Sequence, residues 1–159
     1  MKNNTPIRPL ISEEGKAKAA QCVAAEVCKW GNNTHLNQSE LAEHISVVFR
    51  RHMDGYEIAK KLDNRFCYDP NPEMVESLDL MQHEVDKVHQ EELKKWVDKN
   101  NIKPPFEVGT EITEGFITGI CTHSVACYLV RKHDVPEDHP NNPRLVVKFE
   151  DAAFKEVAA

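Results

Sequence analysis

The sequence predicts an α+β protein: an N-terminal helical bundle of three to four helices over residues 1–103, then a small antiparallel β-barrel or sheet over 104–159. Three observations carry this reading. Up to Lys103 the apolar residues recur at helical spacing. Pro104-Pro105 then stops any helix, because proline lacks the N–H and clashes with the preceding turn. Beyond it Gly109, Gly115 and Gly119 punctuate short runs rich in β-branched and aromatic residues.

Met1 to Ile11 holds Pro6 and Pro9 and reads as an extended arm. Ser12 is the expected cap of a first helix running to about Trp30, with Glu13 and Glu14 favourably placed in its first turn. Ala17, Ala19, Ala20, Ala24 and Ala25 give that helix high propensity and a thin surface. Gly31-Asn32-Asn33 ends it. Asn37 or Ser39 caps a second helix whose face carries Leu41, Ile45 and Val48, together with His44 and His52. Asp54 starts a short helix with Tyr56, Ile58, Ala59 and Leu62. Asn71 and Pro72 open the longest helix. Val75, Leu78, Met81, Val85, Val88, Leu93 and Trp96 recur along it at about 3.5 residues, over most of the span to Lys99.

In the β unit, Phe106 to Thr113 holds a first short strand. Residues 115–123 and 126–131 flank a tight turn at Ser124-Val125 and read as a hairpin. Asp134 to Pro143 is a polar loop with three prolines, and Arg144 to Glu150 a further strand. The stretch Val108 to Ile120, followed by Tyr128-Leu-Val and Leu145-Val-Val-Lys-Phe-Glu-Asp, resembles small SH3-like barrels, the group of Tudor and KOW modules. The resemblance implies a binding module for peptides, nucleic acid or other proteins. Phe116, Tyr128 and Phe149 are the rings available for an aromatic cage or, equally, for the core. The prolines read as a rigid corner that packs this unit on the long helix near Trp96.

The chain has 159 residues, 40% of them hydrophobic and 29% charged, with a net charge of −6, which is ordinary for a soluble globular protein. The acidic balance disfavours a dedicated nucleic-acid binder, whose phosphate contacts need a basic surface. Residues 104–159 are the more acidic part, with 5 Lys/Arg against 9 Asp/Glu. Five scattered cysteines, Cys22, Cys28, Cys67, Cys121 and Cys127, do not form a secreted disulfide framework. The polar start and the lack of a long apolar run point to the cytoplasm and away from a membrane.

The residues offer several incomplete sites. His44, His52 and His89 fall on or beside apolar faces, and Glu92 lies one turn beyond His89, a set suggestive of a metal or acid–base site. The spacing argues against it: His44 and His52 would sit about 12 Å apart along one helix. Asp79, His83 and Asp86 recur at successive turns and read as a solvated charged face. Cys121, His123 and Cys127 straddle the hairpin turn, with His133 beyond, and could clip zinc, but no Cys-x-x-Cys pair supports this. The three spaced glycines are not a phosphate loop, since no Gly-Lys-Ser/Thr follows. Arg50, Arg51, Lys60, Lys61 and Arg65 form one basic patch, and Lys94, Lys95, Lys99 and Lys103 another.

With no complete catalytic set and no cofactor signature, the expectation is a non-enzymatic interaction protein, of the build that phage or mobile-element accessory proteins have. The expected contact residues are Asp134, Glu137, Asp138 and His139 in the semi-rigid acidic loop, with Tyr128 and Trp96. The helical region offers a dimer surface. One alternative is a metal-dependent enzyme or metal sensor using His44, His52, His89 and Glu92. Another is nucleic-acid binding through the helical basic patch at Arg50, Arg51, Lys60, Lys61 and Arg65.

Overall fold

The structure is a computed structural model describing residues 6–155. These residues form two compact units, 9–92, and 6–8 together with 93–155. Of the predicted extended arm, residues 1–5 lie outside the described part, and residues 6–12 carry neither helix nor strand. The architecture is α+β: helices first, then a four-stranded antiparallel sheet curled into a half-barrel.

In the helical unit, α1 (Glu13–Lys29) is capped by Ser12, whose hydroxyl accepts the Gly15 N–H at 2.9 Å. Its alanine face is buried through Ala19, Ala20, Val23, Ala24 and Val27. A 3-10 turn, Gly31–Asn33, leads to α2 (Gln38–Val48), capped by Asn37. Next comes α3 (Gly55–Phe66), held at its start by a complete capping box between Asp54 and Glu57. Then α4 (Pro72–Leu78) begins with the Asn71 cap and Pro72 in its first turn, and α5 (Leu80–Asn100) follows. Leu41, Ile45, Ile58, Leu62, Met74, Leu78 and Met81 fill the core. Each such side chain contributes about 1.5–3 kcal/mol when taken fully out of water.

Two helix boundaries differ from the sequence reading. The long helix predicted from Pro72 is interrupted at Asp79, which keeps right-handed dihedrals (φ −60°, ψ −23°). The interruption sits where α3 begins: the Asp79 carboxylate accepts the Gly55 N–H, and a Cβ at Gly55 would collide with the Val75 carbonyl. The second helix stops at Val48, not at His52. The chain must turn over residues 49–53 so that Asp54 can take the extended conformation of a cap, and His52 lies in that turn at φ 69°.

In the other unit, β1 (Glu111–Ile112), β2 (Gly115–Ile120), β3 (Cys127–Arg131) and β4 (Leu145–Lys148) pair in sequence order. The predicted hairpin is the β2–β3 pair, with Ile117 opposite Val130 and Ile120 opposite Tyr128, but β2 ends at Ile120 and the connection spans residues 121–126 rather than a tight turn at Ser124-Val125 alone. A register shift between Ile117 and Gly119 bends β2. Gly115 sits at φ 151°, where any Cβ would strike the Arg131 carbonyl. Residues 153–154 return to the outer edge of β1, with Thr113 N–H donating to Ala153 O at 2.9 Å and Ile112 bridging Phe154. Leu93 and Trp96, from the end of α5, share the sheet's core with Ile112, Ile117, Tyr128, Val130, Val147 and Phe149.

That core corrects two expected contact residues. Tyr128 is 0% exposed, and its hydroxyl accepts the Phe106 N–H at 2.7 Å while donating to Phe106 O at 2.9 Å. Trp96 is 9% exposed and lies under the Arg8 guanidinium, 5.4 Å from the ring centroid. Both rings therefore belong to the core of the sheet. Of the other rings, Phe149 is also buried, while Phe116 stays half-buried beneath Arg131 and against His133.

Candidate functional site

Four segments of the helical unit enclose a cleft of about 680 Å³. The turn after α1 supplies Asn32, Asn33 and His35, α2 supplies Glu40 and His44, the end of α3 supplies Phe66 to Asp69, and the start of α4 supplies Asn71 and Met74. Local chemistry explains each placement. Cys67 ends α3 in the left-handed region (φ 57°), which swings Tyr68 and Asp69 back across the cleft. Glu40 and His44, four residues apart on α2, share one face.

Asn33, only 4% exposed, pairs with Asn71 through two reciprocal amide hydrogen bonds of 3.1 and 2.9 Å. The Asn71 oxygen also caps Met74 at 2.9 Å, so this pair is a fixed part of the lining. Every hydrogen-bonding atom it uses is satisfied locally, as buried amides require. His44 stacks on Phe66 with ring centroids 3.7 Å apart and planes within 9°. Its Nδ1 lies 3.0 Å from the Tyr68 hydroxyl. Burial, and then the charges of Glu40 and Cys28, push the Tyr68 phenol up from its ordinary value, so it remains a neutral hydroxyl. Burial likewise raises the Cys28 thiol. Carboxylates and no Lys or Arg line the cleft.

The histidines and acids singled out in the sequence are not brought together. His44 is in the cleft. His52 is exposed, and its backbone N–H donates to Gln82 at 3.0 Å. His89 Nε2 lies 3.1 Å from Pro9 O, and Glu92 accepts both the backbone N–H and the hydroxyl of Ser12. His89 and Glu92 therefore fasten the start of α1. Asp79 holds Gly55, while His83 and Asp86 are exposed. Cys121 and Cys127 face each other across the hairpin, Cys121 N–H donating to Cys127 O at 2.8 Å; both are buried free thiols, and burial raises that of Cys127. His123 is exposed, and His133 is turned towards Ile112 O and Glu111. Among the described residues no group of three His, Cys, Asp or Glu could hold a metal ion.

The remaining expected residues are surface ones. Asp134, Glu137 and Asp138 are exposed and His139 is partly buried. Arg50, Lys61 and Arg65 converge, with Asn64, on a second cavity of about 310 Å³. Arg51 and Lys60 are exposed. The cleft itself was missed in the sequence because its residues were assigned local duties: Asn33 as a helix stop and Asn71 as a cap. The concentration of asparagines in residues 32–37, beyond what one helix end needs, was the available signal.

Fold and site together define a small α+β protein with a polar cleft in its helical part. The chain matches no family model, no curated protein and no solved structure. Among the described residues no helix is long and apolar enough to cross a membrane.

Proposed function

We propose that this is a non-catalytic interaction protein of the cytoplasm whose β unit presents the loop after β3 to a basic protein partner. The observation that carries this is a loop braced by its own bonds while its acids stay free. Val135 N–H donates to Lys132 O at 3.1 Å, His139 N–H to Pro136 O at 3.3 Å, and Asn142 N–H to His139 O at 2.9 Å. Arg131 adds a bond to Val135 O at 2.9 Å. Asp134, Glu137 and Asp138 project from this frame, exposed and with no ion-pair partner among the described residues. A pre-ordered loop loses little entropy on binding, and its charges steer a basic surface. Affinity capture from native lysate tests it. Deleting residues 135–142 should abolish recovery of a basic partner while circular dichroism stays unchanged; undiminished capture would sink the reading.

A second reading rests on the cavity where Arg50, Lys61 and Arg65 converge. Three cations from two separate segments around one cavity suit a phosphate backbone. Nucleic-acid binding would then weaken steeply with salt and disappear in an Arg50→Ala/Lys61→Ala/Arg65→Ala variant. Lack of binding to a single-stranded oligonucleotide at low salt removes it.

A further inference from the structure

Two of the cavities in the helical unit differ in the charge of their linings, and the larger of these two is the one the interaction reading leaves unused. We propose that the cleft between Glu40, His44, Tyr68 and Asp69 binds a small organic cation, an ammonium or guanidinium group on a short polar stem.

The size fits: about 680 Å³ lies within the range of sites that enclose small molecules. The charge selects the sign. Glu40 and Asp69 line the cleft and no Lys or Arg does, whereas the cavity at Arg50, Lys61 and Arg65 has no carboxylate in its lining. The two acids repel an anionic ligand in the first, and a cation gains from both.

The lining is also built in advance. The Asn33–Asn71 pair is buried and mutually satisfied, so it neither collapses into the cleft nor competes for the ligand. His44 is fixed by the Phe66 stack and the Tyr68 hydroxyl, and its Nε2 has no partner among the described residues. The Arg65 guanidinium lies over the Phe66 ring, 5.4 Å from its centroid, and is not part of the lining. Burial is the main cause of the upward shift of the Tyr68 phenol, and the Glu40 charge adds to it in the same direction. A stem with hydroxyl or amide groups would find hydrogen bonds at Asn32 and at the free His44 nitrogen.

The same cationic group could arrive as a free amine or as the Arg side chain of a peptide. The test titrates the whole protein with agmatine, with the peptide acetyl-Gly-Arg-Gly-amide and with glutarate, following ¹H–¹⁵N shifts of residues 32–44 and 66–71. Saturable shifts with agmatine or the peptide are expected, and none with glutarate. The tighter of the two cationic probes assigns the source. A Glu40→Gln/Asp69→Asn variant should weaken binding by about tenfold or more. Both acids are exposed, so the variant should fold, and its thermal melt checks this. Failure of both cationic probes to saturate below about 10 mM overturns the proposal. Equal binding by the folded variant, or by glutarate, does the same. No probe or variant here touches the loop after β3, so the outcome is independent of the interaction reading.

Discussion

Arg8 and Glu150, 142 residues apart in the chain, meet in a two-pronged ion pair, Nε to Oε1 and Nη2 to Oε2, the latter at 3.0 Å. The two side chains are 12% and 23% exposed. The same guanidinium donates to the carbonyls of Val125 at 2.9 Å and Ala126 at 2.8 Å, and lies over Trp96. One side chain thus satisfies the turn between β2 and β3, the end of the sheet and the face of a core indole. Fork-to-fork geometry of this kind makes Lys a poor replacement.

Arg8→Ala should therefore destabilise the β unit by about 1.5–3 kcal/mol, the range for hydrogen bonds to charged groups. In a Trp30→Phe background Trp96 is the one tryptophan left, and its fluorescence during urea unfolding reads the loss. A change under about 0.5 kcal/mol, the level of an ordinary surface substitution, would contradict the arrangement.

The same pair sets an acid limit. Burial alone would raise the Glu150 carboxyl, but the Arg8 hydrogen bond and charge, with a backbone bond and Lys148, outweigh it and the net shift is downward. A carboxylate depressed in the folded state stabilises fully above its unfolded value of about 4.3 and less as pH falls through its folded value. The wild-type melting temperature should fall across this acid range more than that of Glu150→Gln. Parallel curves would show that the pair contributes no pH-dependent stability.

Gly55→Ala should cost about 1–3 kcal/mol, the usual range for overpacking, because the added methyl meets the Val75 carbonyl and Asp79. Helix propensity alone predicts the opposite, a gain of up to about 1 kcal/mol for alanine. A chemical denaturation curve therefore decides between local preference and close packing by sign.

Ser12 and Glu92 act on one helix end, so their effects should not add. Ser12→Ala removes a cap and should cost about 0.5–2 kcal/mol. Glu92→Ala removes the carboxylate that accepts the Ser12 N–H and hydroxyl. A double-mutant cycle should give a coupling of at least about 0.5 kcal/mol, and additivity would separate the two residues.

Tyr128→Phe should destabilise by about 1–3 kcal/mol, since it strands the Phe106 N–H and carbonyl that the hydroxyl now satisfies. Thermal unfolding measures it, and a neutral result would mean that the pocket rehydrates.

How much of this was legible depends on range. Ser12, Asn37, Asp54 and Asn71 announce helix starts because a cap bonds a backbone N–H only three residues away. The β2–β3 hairpin is local too. The cleft draws on four segments, and Arg8, Asp79 and Glu92 each find partners 24 to 142 residues distant. No period or motif encodes such meetings, which depend on how elements pack. Tyr128 and Trp96 were misjudged for the same reason: an aromatic side chain suits a binding face and a core equally until its neighbours are known.

The placement of Arg8 bears on how the chain is made. Residues 9–92 are all synthesised before the first strand exists, so the helical unit can fold while the rest is still being translated. The β unit draws its guanidinium from Arg8 and its carboxylate from Glu150, so it closes only once residue 150 has emerged. A fragment excised at Leu93 would keep all four strands yet leave the turn carbonyls at Val125 and Ala126 and the Glu150 carboxylate without their cation.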